Sequence, residues 1–194
     1  MFNIILQIIA VVVTAISWVP QAYRLLRSSD HSGVSLSSWG LGALTGLVFC
    51  LYGISSHVWS LTLSEGAFAI GATFIVGTLI GKVRTVLYCV LGVVASVLVV
   101  VVAPATFIGV VGIIGSLGMR LLQLLRTVRE RSVAGMSSGS WALLAINVSA
   151  WGLYGLRTGR WPLVVMSVLS LISALVLLIV ARRIRSSSVS AAAA

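Results

Sequence analysis

One stretch of this chain is written twice, and the repetition constrains the fold more than any single motif. Shifting residues 20–66 by 102 positions lays them on 122–168 without a gap. The pairs Gln21/Gln123, Arg24/Arg126, Arg27/Arg129, Gly33/Gly135, Ser38/Ser140, Trp39/Trp141, Tyr52/Tyr154, Gly53/Gly155 and Trp59/Trp161 are then identical. General hydrophobicity accounts for matched leucines. It does not account for matched Gln, Arg, Trp and Tyr-Gly at one fixed offset, so the chain carries an internal duplication.

Composition decides where such a duplicate can live. Of the 194 residues, 59% are hydrophobic and 8% charged, with a mean hydropathy of +1.16. That is too little charge for a soluble surface. Apolar runs long enough to cross a bilayer make it a polytopic membrane protein. Seven spans fit, roughly 2–23, 37–55, 59–81, 85–103, 105–125, 139–157 and 161–181. Backbone groups in lipid must be satisfied within their own segment, so the spans are predicted to be helices. The start, MFNIILQIIAVVV, has no basic region ahead of its apolar run and reads as a retained first span.

The basic residues set the orientation. Arg24, Arg27, Lys82, Arg84, Arg126, Arg129, Arg131, Arg182, Arg183 and Arg185 fall on one side of a seven-span layout, against Arg157 and Arg160 on the other. The Lys/Arg-rich side is cytoplasmic, which places the N-terminus outside, the C-terminus inside and the protein in the plasma (inner) membrane. It also explains the net charge of +10 without nucleic acid. Spans 1–3 (1–82) form one repeat and spans 5–7 (105–185) the other, with the unrepeated span at 83–104 as a linker helix. This 3+1+3 arrangement makes the repeats parallel, with a solute pathway expected between them. The tail 186–194 has no packing face and is expected to be disordered. A homo-oligomeric assembly is open to such a chain.

Several residues carry chemistry. Glu65 is the acidic residue inside a span, six residues past Trp59 and so about 9 Å deep. An ionisable group at that depth marks a pathway or a proton relay by default, so Glu65 is a candidate for solute binding and for proton coupling. Thr45 and Phe49 share a helix face, and Asn147 and Trp151 occupy the repeat-equivalent positions. A polar group one turn from an aromatic face suits a small polar solute. Pro20 interrupts the first span near its inner end, a kink or hinge. Gln21 and Gln123 are expected to hydrogen-bond across helices. Arg120 either snorkels to the basic surface or faces the inner end of a cavity. Trp39, Trp141, Trp59 and Trp161 read as interfacial anchors. Cys50 and Cys89 sit in apolar runs as buried thiols. His31 and His57 lie in loops on opposite sides, and no catalytic triad or phosphate loop is present. Neither an enzyme nor a cofactor is expected.

The string V-P-Q-A-Y-R-L-L-R, then S-G-V-S-L-S-S-W and L-Y-G, resembles the PQ-loop motif. That motif is shared by SWEET and SemiSWEET sugar transporters and by lysosomal cystine and cationic amino-acid exporters. The resemblance implies a 3+1+3 fold and alternating-access transport of a sugar or another small polar metabolite. It also implies a site at a Trp three residues before Tyr-Gly and an Asn sixteen residues after that Trp. Here those positions hold Trp151 and Ser167 in the second repeat and Phe49 and Glu65 in the first. The hinge proline of the family corresponds to Pro20, with Leu122 in its place in the second repeat. Glu65 opens the alternative of a proton-coupled amino-acid carrier. The fold's resemblance to the KDEL receptor keeps a non-transporting receptor or scaffold as a further class.

Overall fold

The computed structural model describes residues 1–27, 34–130 and 138–192, all but a few of them helical. The order is α1 (Phe2–Ser17), α2 (Val19–Arg27), α3 (Leu36–Ser55), α4 (Trp59–Ile80), α5 (Lys82–Val102), α6 (Ala105–Glu130), α7 (Ser138–Thr158) and α8 (Trp161–Ala192). With α1 and α2 as one broken span, these are the seven membrane helices of an all-α protein. Five are long and apolar enough to cross by length and composition alone. The other two are α5 and α7, the latter carrying Asn147 at mid-length.

The break between α1 and α2 has an identifiable cause. Pro20 offers no N–H and its ring crowds the carbonyl of residue 16. Helix α1 accordingly stops at Ser17, where the Ser17 hydroxyl donates to the Thr14 carbonyl at 2.8 Å. The Ala22 N–H resumes the ladder on the Trp18 carbonyl at 3.0 Å. Helix α6, with Leu122 in place of the proline, runs unbroken.

The duplication fixes the register of everything else. Helices α3 and α7 begin at Leu36 and Ser138, and α4 and α8 at Trp59 and Trp161, each pair 102 residues apart. Even the turn repeats. His57 and Gly159 both take a positive φ, 55° and 69°, the left-handed residue that ends a helix. The next residue then donates back, Val58 N–H to the Gly53 carbonyl at 2.7 Å and Arg160 N–H to the Gly155 carbonyl at 2.9 Å. This explains the two Tyr-Gly pairs. A Cβ on Gly53 would lie 2.7 Å from the Thr62 backbone nitrogen, and one on Gly155 would lie 3.0 Å from the Arg160 carbonyl oxygen.

Within the first repeat α3 packs on α4 and α1 on α4; within the second, α7 packs on α8 and α6 on α8. Between the repeats α1 meets α7 and α3 meets α6, which are equivalent pairings about a pseudo-two-fold axis. The linker α5 leans mainly on α3 and α4 and exposes Val86, Leu87, Val90, Leu91 and Val94. Lipid is as apolar as a protein core, so close backbone approach has to hold the helices together. On α6, Gly109, Gly112 and Gly115 meet Tyr52, Phe49 and Thr45 of α3 in turn. The buried cluster of Leu6, Ala10, Phe49, Tyr52, Leu61, Ile108, Trp151, Tyr154 and Leu163 fills the half of the bundle away from Arg24 and Arg126.

Where composition predicts a disordered tail from residue 186, the backbone of α8 stays helical to Ala192. Serine and alanine added to an existing helix bear no nucleation cost, and alanine is the best helix former.

Candidate functional site

A cavity of about 240 Å³ lies between the repeats, a little below the ~300–1,000 Å³ of typical ligand pockets. Part of its wall is built from repeat-equivalent pairs. Thr14 and Ser116, Ser17 and Met119, Gln21 and Gln123, Thr45 and Asn147, and Gly46 and Val148 all line it. A wall made of such pairs surrounds the pseudo-two-fold axis. The cavity runs from Phe49, at mid-depth, to Ser38, Gln21 and Gln123 near the basic end. Beyond Phe49 the buried cluster plugs the other end.

The plug is itself symmetric. Phe49 stands edge-on to Tyr52, with centroids 6.4 Å apart and planes at 83°, and Trp151 stands edge-on to Tyr154 at 5.8 Å and 82°. Both are T-shaped aromatic pairs of the favourable kind. Gly112 lets Phe49 in, since a Cβ there would meet the ring at 2.9 Å.

Of the residues singled out from sequence, Thr45, Phe49, Glu65 and Asn147 line the cavity, as do Gln21 and Gln123. Trp151 and Ser167 do not. Trp151 is 0% exposed within the plug, and Ser167 is buried against Gly152 behind it. Pro20 stands at the α1–α2 break. Contrary to expectation, Gln21 makes no cross-helix bond through its amide nitrogen, which is buried without a partner. Asn147 is held across the repeats, its Oδ1 accepting from the Thr14 hydroxyl at 2.8 Å. The Thr45 hydroxyl donates to the Leu41 carbonyl at 2.8 Å, and the Ser38 hydroxyl ties α3 to α6 through the Met119 carbonyl at 3.0 Å. Nearer the basic end, the Arg126 guanidinium donates to the Val34 carbonyl.

Arg120 resolves between its two expected fates: it lines the cavity with Ser116 and Gln123, one helix face of α6. That spacing, 116-120-123, was the available signal. Trp39 is the other departure. It lines the cavity beside Phe68, with ring centroids 6.4 Å apart. Trp59 and Trp161 remain exposed, as anchors should be, and the side chain of Trp141 lies outside the described residues. Glu65 and Arg120 line the same cavity. Yet no ion pair joins them among the described residues, and the Arg120 Nε is buried without a partner.

Cys50 is a free, half-buried thiol, and His57 is exposed in its turn. His31 and the Cys89 side chain lie outside the described residues. Among the described residues no His/Cys/Asp/Glu cluster is suited to a metal.

A seven-helix bundle of two parallel repeats around an axial cavity, with five helices long and apolar enough to cross a bilayer among the described residues, defines a multi-pass integral membrane protein. The fold matches that of a eukaryotic SWEET transporter whose structure was solved at 3.7 Å resolution. The TM-score is 0.73 and the identity 17%, over 95% of this chain and 97% of that one. By sequence, no family model and no curated protein matches the chain.

Proposed function

We propose that this protein is an alternating-access carrier for a small polar solute, binding it in the axial cavity with Thr45, Phe49, Glu65 and Asn147. The observation that carries the reading is the cavity's position: it is walled by both repeats, reaches the basic end and is dead-ended by an aromatic plug. Rocking the repeats about that axis would open the plug and close the basic end. Trp151 and Ser167 would join the wall when the plug parts, and the α1–α2 break at Pro20 supplies a hinge in one repeat only. The basic end is assigned to the cytoplasm by the charge bias, with the N-terminus outside. The SWEET likeness makes sugars the first solutes to try. Uptake of labelled sugars and other small metabolites by the purified protein in liposomes tests the reading. Failure of every solute to exchange, in protein that stays monodisperse, counts against it and favours a receptor.

A second reading adds proton coupling at Glu65, a carboxyl within a span that lines the cavity with no ion pair among the described residues. Such intramembrane carboxyls serve as proton relays. Solute accumulation driven by an imposed pH gradient, and abolished in Glu65→Gln, tests it.

A further inference from the structure

We propose that the protein opens and closes along its α1–α7 seam alone, while α3 and α6 stay joined as a fixed spine across the two repeats. The inference rests on the alternating-access reading and names the seam along which that motion runs.

The two seams between the repeats are equivalent by the duplication but not alike. Along α3–α6 the contact is continuous. A Cβ on Gly109 would meet Tyr52 at 3.3 Å, one on Gly112 would meet Phe49 at 2.9 Å, and one on Gly118 would meet Leu41 at 2.9 Å. At the basic end the Ser38 hydroxyl donates to the Met119 carbonyl at 3.0 Å, and the Arg126 guanidinium donates to the Val34 carbonyl. From Ser38 to Tyr52 the closed seam runs about 21 Å along α3. The repeat mates of Gly109, Gly112 and Gly118 are Gln7, Ala10 and Ile16 of α1. The α1–α7 seam is joined at the plugged end, where Arg157 Nε donates to Asn3 Oδ1 at 2.9 Å, and at mid-depth by Thr14 on Asn147 at 2.8 Å. Toward the basic end Ile16 is exposed, whereas its mate Gly118 receives Leu41. Arg24 is exposed, whereas its mate Arg126 is half-buried. Ser17, Gln21 and Leu144 line the cavity there. The cavity thus reaches the basic end with α3–α6 still bonded, and its opening lies on the α1–α7 side.

The path of the chain fits a spine on that side. Helix α6 follows α5 after Ala103 and Pro104 alone, and α5 seats on α3, where a Cβ on Gly92 would meet Leu44 at 2.6 Å. Helix α6 is itself unbroken, whereas the α1–α2 span breaks beside Pro20. The break therefore belongs to the seam that moves. The hydrogen bonds point the same way. Parting α3–α6 at the basic end would strip the buried Ser38 hydroxyl and the Arg126 guanidinium of their acceptors, which is costly. It would also forfeit close glycine packing that lipid does not replace. The bonds across α1–α7 are of another kind. Arg157 on Asn3 is exposed, and Thr14 on Asn147 stands in the cavity wall, so water takes up both when the helices part.

The first test needs no solute. Spin labels go on two repeat-equivalent cysteine pairs at the basic end, in the full chain with Cys50 and Cys89 replaced by serine. Leu36→Cys with Arg129→Cys spans α3–α6, and Ser138→Cys with Arg27→Cys spans the other seam. Dipolar distances measured in liposomes should show one narrow distance for the first pair and two distances for the second. A symmetric rocker gives equal spreads in the two pairs, and that result would overturn the inference, as would a single narrow distance in both. Cross-linking supplies the functional check. A disulfide between Leu41→Cys and Gly118→Cys should leave exchange of labelled glucose at the rate of the reduced protein. The repeat-equivalent Leu143→Cys with Ile16→Cys should lose exchange until reduced. Loss in the Leu41/Gly118 pair, restored by reduction, would overturn the fixed spine and leave the carrier standing. Exchange absent even from the reduced proteins bears on the solute and the carrier reading, and the distances then decide the seam alone.

Discussion

Replacing glycine by alanine at two positions of α3 should move stability in opposite directions. In a helix the exchange ordinarily stabilises by ~0.5–1 kcal/mol, because glycine loses more backbone freedom on folding. Gly40 has open space around its missing Cβ, so Gly40→Ala should realise that gain. At Gly53 a Cβ would sit 2.6 Å from the Thr62 hydroxyl oxygen, 2.7 Å from the Thr62 nitrogen and 3.1 Å from the Val58 carbonyl oxygen. Two of these are backbone atoms of the α3–α4 turn, which the Val58-to-Gly53 hydrogen bond closes, so they cannot swing aside. Overpacking of this kind costs ~1–3 kcal/mol. Set against the propensity gain, Gly53→Ala should destabilise by ~1–2 kcal/mol. At ~2–4 °C per kcal/mol for a chain of this size, thermal unfolding in detergent should place the two variants several degrees apart, on either side of wild type. Gly53→Ala at or above wild type would show that the repeated Tyr-Gly is not a packing requirement of the turn.

Trp151→Ala should abolish solute exchange and lose ~3–5 kcal/mol, since the ring is fully buried; Trp151→Phe, the residue of the other repeat, should fold, as thermal unfolding will show. Phe49→Trp should be worse tolerated than Trp151→Phe, because the Phe49 ring already packs so closely on Gly112 that a Cβ there would meet it at 2.9 Å; equal melting temperatures would contradict this. Thr14→Val removes a cross-repeat hydrogen bond and should cost ~1 kcal/mol, read by the same assay. If Glu65 carries a coupling proton, transport should vary between pH ~5 and ~8, where bell-shaped or sigmoidal rate profiles report such groups. A flat profile removes proton coupling.

Depth in the membrane was legible in the sequence, and direction around each helix was not. The expected spans begin within a few residues of the observed helices, and Trp59 and Trp161 start α4 and α8 as read. The repeat also placed Thr45 and Asn147 on the same wall. Lipid and protein interior are equally apolar, however, so no amphipathic stripe tells an inward face from an outward one. Arg120 had two open fates for that reason, and Trp39, assigned to the interface by its depth, lines the cavity. Trp151 shows a related limit. Its repeat mate Phe49 touches the cavity while Trp151 sits in the plug, because the two repeats are equivalent in sequence position but not in the side chains that surround them.

The central claim is that one cavity on the axis is reached from either face in turn. Ser116 lines it and is 5% exposed, so Ser116→Cys, with Cys50 and Cys89 replaced by serine, carries a reporter thiol at the wall. An impermeant thiol reagent applied to oriented vesicles from either side measures access directly. The account predicts labelling from both sides, slowed from both by a transported solute, with Pro20→Leu lowering the rate from the plugged side. Labelling from the basic side alone, unchanged by any solute, would contradict it.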